Sequence, residues 1–419
     1  MDSVWKNFTG SISVTLNPLR NENGGTSTIE WRTNDPLGGE LWVFTTGEGD
    51  KLISRGTGGS VQVDWIQHGR GYNFLLYGLS QPRRKLASLA LTDKDKAGQK
   101  NSHKPATPVS ESEAAHSIVK VVPRCLHSPH YPEFFGLWEK HGFHVTPVHF
   151  YQPIPDTRTL GEKTWSEVSE LPGIDMNEAT QLDLLLNQFP RFREEYERFE
   201  SRSSEEAGRF DFNNGLFGGT DALVAYCMIR HFKPRLIIEI GSGFSSLISG
   251  EAAALNERSA LICVEPFPKE FLRRGFPGLH SLIEKKVQDL GLDFFSQLDS
   301  GDILFIDSSH TVKIGGDVNY LFLEVLPRLK PGVIVHIHDI FLPFEYRRDW
   351  IMEERRFWTE QYLLQAFLMF NSEFEVLMGN SYLGHYHLED LKATFPNSPW
   401  WGGGSFWIRR RVKRNEEAV

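Results

Sequence analysis

A glycine-rich turn and two clusters of histidine with aspartate are the parts of this sequence whose residue types and spacing suit chemistry. The stretch EIGSGFSS, Glu239 to Ser246, joins an apolar run to a helical one. Gly241 and Gly243 allow a sharp turn and a close approach of ligand to backbone, and the free N–H groups of the next helix point at that ligand. Glu265 closes the second apolar run about 26 residues after Glu239, where a carboxylate can accept both hydroxyls of a ribose. Gln288 and Asp289 close KKVQDL (285–290), read as the third strand, at the edge where an adenine would lie. Polar groups at three successive strand ends point to an adenosine-containing ligand.

The stretch FIDSSH then places Asp307, Ser308 and His310 at the end of a fourth run, and HIHDIF places His336, His338 and Asp339 at the end of a fifth. By strand alternation His336 and His338 face one side, with His338 nearer the rim. His336 reads as a satisfied core histidine. His338 or His310 is the expected base, with Asp339 or Asp307 orienting its imidazole, because histidine titrates near neutrality.

Two nucleoside cofactors fit such an edge. A dinucleotide fingerprint wants a third glycine to pack helix on strand, and Ser246 stands at that position. S-adenosylmethionine (SAM) has no pyrophosphate to bind, and the acid Glu239 on the first strand suits its cationic groups. SAM is therefore the expected cofactor, held by Glu239, Gly241, Ser242, Gly243, Glu265, Gln288, Asp289, Asp307 and Ser308. The chemistry that follows is methyl transfer, an in-line displacement needing mainly positioning and removal of a proton.

The elements that position these residues alternate strand with helix. RLIIEIG (235–241), LICVEP (261–266), KKVQDL, GDILFID (301–307) and GVIVHIHDIF (332–341) are apolar strands needing cover on both faces. Apolar residues at 318, 321, 322, 325, 326 and 329 make the stripe of a helix facing a sheet, and the helix stops at Lys330-Pro331-Gly332. FEVLMGN and SFWIRRR are two further strands, placed as an antiparallel edge. The expected architecture is a seven-stranded, doubly wound, Rossmann-like α/β sheet over residues 217–419.

Residues 1–93 have another texture. Six short runs, SISVTL, STIEWRT, ELWVFTT, SVQVDWI, YNFLLYG and LASLALT, alternate with glycine- and asparagine-rich turns. They read as an antiparallel β-sandwich of immunoglobulin or fibronectin type, with Trp31 in its core. Residues 94–116 are a polar linker. Residues 117–216 are a mixed α/β extension with a strand at HSIVKVVP and a helical run near Glu178 to Phe199.

Residues 217–411 resemble class I SAM-dependent methyltransferases. Glu239-Ile-Gly-Ser-Gly matches their first motif, and the FIDSSHTVKIGGDVNYLFLEVLPRLKPGVIVHIHDIF segment is similar to the branch grouped as methyltransferase family 24. In that branch's G-x-G-x-G pattern Ser245 replaces the last glycine. Catechol O-methyltransferase-like relatives place metal-binding carboxylates at two strand ends beside an amide. The resemblance puts Asp307 and Asp339 at those ends, but Ile340 stands where the amide belongs. That set is incomplete, so no metal is assigned; Asp307, His310 and Asp339 remain a set that could take a transition ion.

The segment NNGLFGGTDALVAY (213–226) is expected over SAM, with Asp221 capping its helix. Phe344, Tyr346, Trp350 and Trp358 are expected to wall an acceptor pocket, with Arg347 and Arg348 for an anionic group; HFYQPIPDTRTL (149–160) is placed at the same mouth. The acceptor class is a sugar or other small polar metabolite, methylated on a hydroxyl. Net charge is −9, which disfavours nucleic acid as partner. No apolar run approaches the roughly 20 residues of a membrane span, the opening residues lack a signal-peptide pattern, and three scattered cysteines suit a reducing cytoplasm. The competing readings are a non-catalytic SAM- or glycan-binding protein and an NAD-dependent oxidoreductase.

Overall fold

The computed structural model describes residues 9–15, 27–45, 49–63, 72–79, 85–91, 111–201 and 208–412. The chain divides into two compact units, Met1–Ile118 and Val119–Val419.

Among the described residues of the first unit, seven strands form two antiparallel sheets. They are β1 (Gly10–Thr15), β2 (Ser27–Thr33), β3 (Gly39–Thr45), β4 (Gly49–Gly56), β5 (Gly58–Val63), β6 (Tyr72–Gly78) and β7 (Lys85–Leu91). The sheet orders are β1-β2-β5 and β4-β3-β6-β7. Alternate residues of β2 and β6 turn inward, as a half-buried strand requires. Ile29, Trp31, Leu41, Val43, Phe74 and Leu76 join one buried cluster that draws on both sheets. Six strands were expected here; β4 is the addition. Its sequence, GDKLISRG, carries three charged residues and begins in a segment read as a turn, and its pairing with β3 draws it into the sheet. The ends of four expected runs (residues 16, 46, 64–66 and 92) lie outside the described residues, as do 92–110, most of the expected linker.

The second unit is built on a seven-stranded sheet. Its strands are β8 (Leu236–Ile240), β9 (Ala260–Val264), β10 (Leu279–Ile283), β11 (Ile303–Ile306), β12 (Ile334–Ile337), β13 (Phe374–Gly379) and β14 (Phe406–Arg410). They lie in the order β10-β9-β8-β11-β12-β14-β13. Pairing is parallel from β10 through β12, and β14 runs antiparallel to both β12 and β13. The doubly wound reading holds. Strands β8, β11 and β12 are buried at every position, because helices cover both faces. One face receives Ala222 to Ile229 with Leu247 and Ile248. The other receives the helical stripe, and Val318, Leu321, Phe322, Val325, Leu326 and Leu329 are all buried as expected.

Two strand assignments are corrected. The third strand is β10, LHSLI, while KKVQDL supplies only a 3-10 turn at Val287–Asp289. Strand β10 is an edge strand pairing only with β9, so its five residues carry little apolar signal. HSIVKVVP lies inside the helix Glu111–Leu126. Its β-branched residues mimic a strand, yet Ile118, Val119 and Val121 are exposed and pair with no sheet. The helical run after Glu178 is present, broken into α, π and 3-10 turns around Pro190. No described helix is long and apolar enough to cross a membrane.

Candidate active site

The carboxyl ends of β8, β11 and β12 adjoin one another, so the glycine turn and both histidine–aspartate clusters meet at one edge. Gly241 has φ +79, and a Cβ there would lie 2.6 Å from the Asp307 carbonyl carbon and 2.9 Å from Ser308 Cα. Only glycine fits. Gly243 differs: its φ of −164 lies outside the left-handed region, and an added Cβ would meet nothing within 4 Å.

Beneath the turn Glu239 is fully buried. Its Oε1 accepts from Ser245 Oγ at 2.8 Å and Ser246 Oγ at 2.7 Å, and Ser246 Oγ in turn accepts the Gly243 N–H at 3.1 Å. Glu239 Oε2 has no hydrogen-bond partner. Burial pushes this carboxyl up to about 7, against the pull of Ser246, Ser245 and Ser249. Ser242 sits in the turn, its Oγ donating to the Glu239 carbonyl at 3.3 Å. Glu265 follows β9 and accepts the Phe267 N–H at 2.8 Å, with burial raising its pKa. Gln288 and Asp289 lie in the turn after β10 rather than on a strand. The Gln288 amide donates to the Gly315 carbonyl at 3.2 Å, tying that turn to the loop after β11.

His310 stands at the centre. Its Nδ1 lies 2.9 Å from Glu360 Oε2, and its Nε2 lies 3.3 Å from Asp307 Oδ1 and 3.5 Å from Asp339 Oδ2. Its φ is +55, and that of Asp339 is +57. Two non-glycine residues in the left-handed region, facing each other, mark a site that the surroundings hold in place. For His310 the holding is visible, since the Thr359 and Glu360 N–H groups both donate to its carbonyl. Burial alone would lower the His310 pKa, but Asp307, Glu360 and Asp339 raise it well above the ordinary value. Asp307 is pushed up by burial and pulled below its usual range by His338 and His310. Burial raises Asp339 and Glu360.

His338 packs its ring 4.9 Å from Phe217 and sets Nε2 3.6 Å from Asp339 Oδ1. Its Nδ1 is buried without a partner. Burial disfavours its charged form, but Asp339, Asp307 and Asp221 outweigh that and raise its pKa. His336 is the core histidine expected: it lies between Phe305 and Trp407 with Nε2 3.0 Å from Ser405 Oγ, and burial drops its pKa far down.

Asp221 is not a cap. Its carboxylate accepts from Asn380 Nδ2 and from the Gly404 and Ser405 N–H groups at 2.8–3.0 Å, pinning the loop before β14 to the helix Gly219–Phe232. Of the expected acceptor wall, Trp358 lies 4.5 Å from the His310 ring and 5.1 Å from Trp350. Arg356, which sequence reasoning passed over, lies over both indoles. Tyr346 is buried as a hydrogen-bond acceptor for the Gln361 N–H, and Phe344 packs on His385. Arg347 and Arg348 already pair with Asp349 and Glu162. The 149–160 segment reaches the insertion through Thr157, which accepts from Arg355 at 3.2 Å, while Phe150 and Tyr151 stay exposed.

Glu360 is the residue missed. It lies 50 residues from His310 in a stretch with no distinguishing pattern, and only packing of the helix Glu360–Leu368 brings it behind the imidazole.

Could this edge hold what the sequence implied? Asp307, His310 and Asp339 each offer one ligand atom, all within 4.8 Å of one another, a donor set fit for a divalent cation. The orphaned Glu239 Oε2, the buried excess of carboxylates and the open space at Gly243 fit a cationic ligand lying along the turn.

Residues 238–340, from β8 to just past β12, match the family model described as "Methyltransferase domain". The chain is also 36% identical over 166 residues to an uncharacterized protein of Archaeoglobus fulgidus, a stretch covering 38% of this chain and 75% of that protein. This chain belongs to the same family as that archaeal protein, and it carries a methyltransferase domain. In that domain the matched segment contains the glycine turn, Glu265, Asp307, His310, His338 and Asp339.

Proposed function

We propose that the methyltransferase domain transfers the methyl group of SAM to a hydroxyl of a small polar acceptor, with a sugar as the class that suits the site best. The observation that carries the cofactor reading is Gly243. Its open side meets no heavy atom within 4 Å, which leaves room for a ligand to run against the turn.

In this reading Gly241, Ser242 and Gly243 line the methionine part, with Glu239 bracing the turn from below through Ser245 and Ser246. Glu265 takes the ribose hydroxyls, Gln288 and Asp289 lie by the adenine, and Asp307 and Ser308 border the sulfonium. When bound, SAM would supply an electrophilic methyl to the acceptor oxygen, with S-adenosylhomocysteine as the leaving group. His338 takes the hydroxyl proton. Asp339 holds the ring. Trp358 and Trp350 offer apolar faces to a sugar ring, and Arg356 reaches its rim. Asp307, His310 and Asp339 would hold a divalent cation, whose charge would favour the ionised form of a nearby hydroxyl.

The two antiparallel sheets of the first unit suit an immunoglobulin- or fibronectin-like β-sandwich serving as a recognition module. The buried, unpaired thiols of Cys227 and Cys263 suit a reducing cytoplasm.

S-adenosylhomocysteine at a hundred times its dissociation constant should stabilise the chain by about 2.7 kcal/mol in thermal melts. Stabilisation by NAD instead would sink the SAM reading, and binding with no methylation of any hydroxylated acceptor would leave a binding protein. His338→Gln should lower turnover by about 10²–10⁴-fold while sparing S-adenosylhomocysteine binding. The wild-type rate should rise with pH, since the base must be neutral and its carboxylate neighbours hold its pKa above 6.5. An unchanged pH profile in the variant would remove His338 from the mechanism.

A further inference from the structure

We infer that His310 is a metal ligand and that Glu360 is its positioning residue, so that the site with Asp307 and Asp339 selects a first-row transition dication over magnesium. Distances carry the argument. A charge-assisted N–H···O contact closes to about 2.7–2.9 Å, yet His310 Nε2 stands 3.3 and 3.5 Å from the two aspartates. Neighbouring ligands bonded at about 2.0–2.2 Å to one ion lie roughly 3.0–3.5 Å apart. With Asp339 and Asp307 both at the long end of contact with Nε2, and all three donor atoms within 4.8 Å of one another, they can surround one cation.

The second support lies behind the ring. Glu360 is fully buried, and its Oε2 sits 2.9 Å from Nδ1. A proton on Nδ1 donated to that carboxylate leaves the Nε2 lone pair facing Asp307 and Asp339. This is the carboxylate–histidine support that metal-bound imidazoles commonly have. The backbone adds to it, since the His310 carbonyl is held by the Thr359 and Glu360 N–H groups in a left-handed conformation that would otherwise relax. The position after Asp339, where an amide ligand would stand, is occupied by the fully buried Ile340. His310 therefore supplies the third donor, and it changes the metal: magnesium prefers an all-oxygen shell, whereas imidazole favours zinc, iron, cobalt or nickel.

The inference rests on the methyltransferase reading for what the ion is used for, but not for its binding, so the test needs no acceptor. The full chain is stripped with EDTA, desalted and titrated with Co²⁺, following the visible d–d absorption. One equivalent should bind, and an excess of Mg²⁺ should not displace it. Glu360→Gln should weaken Co²⁺ by about 10–100-fold, and His310→Ala should abolish the signal. Thermal shift with S-adenosylhomocysteine, run on each protein, reports folding and the SAM pocket separately. If His310→Ala does not fold, Glu360→Gln decides. No Co²⁺ signal, Co²⁺ affinity unchanged in both variants, or displacement by equimolar Mg²⁺ would each overturn the inference. Loss of the S-adenosylhomocysteine shift in the wild type would instead count against the SAM reading alone.

Discussion

Gly241→Ala is expected to destabilise the chain by about 2–5 kcal/mol and to abolish S-adenosylhomocysteine binding. The positive φ costs a residue with Cβ about 1–2 kcal/mol. The added methyl also meets the backbone of Asp307 and Ser308, and overpacking of that kind costs about 1–3 kcal/mol more. Relief by movement is blocked. The Gly241 N–H donates to the Val264 carbonyl and the Asp307 N–H to that of Ile240, so shifting either side opens the β9-β8-β11 ladder. Gly243→Ala is the matched control. With φ outside the left-handed region and nothing nearby, it should cost the chain less than Gly241→Ala while weakening S-adenosylhomocysteine. Paired thermal melts with and without the ligand measure both. Equal ligand shifts in Gly243→Ala and wild type would remove the turn from the cofactor site.

Glu239→Gln is expected to reverse the sign of its effect with pH. The carboxyl titrates near 7 in the folded chain against an ordinary 4.5, so the folded state holds its proton more tightly than the unfolded one. The stability linked to that proton is fully present below about pH 4.5 and is lost as pH rises through about 7. The difference is worth about 3 kcal/mol in all. Glutamine cannot ionise, so the variant should melt no higher than wild type near pH 5 and higher near pH 8. It should also keep the acceptor that holds Ser245 and Ser246. Denaturant melts across that range test the expectation, and parallel pH dependences would show that Glu239 is already ionised at pH 5.

Much of the methyltransferase domain was legible in the sequence. Strands β8, β9, β11 and β12 are apolar runs broken only by Glu239 and His336, because burial on both faces favours apolar residues, and the 318–329 stripe records a helix facing a sheet. Gly241 could be read as well, since a left-handed turn between strand and helix admits little else. Strand β10 could not, because an edge strand is only partly buried and its pattern is weak. HSIVKVVP misled for a related reason: β-branched residues favour strands only where a sheet receives them.

The sequence by itself determined which residues stand at the ends of β8, β9, β11 and β12, though not of β10, and so the acids, histidines and glycines gathered at that edge, because buried strand ends are local features of the chain. Only the tertiary structure decided which of those side chains meet. It set Asp221 to holding the β14 loop rather than a helix end, and brought Glu360 behind His310 across fifty residues of chain. Partners of that kind are chosen by packing of a helix against a sheet, and spacing along the chain carries no trace of it.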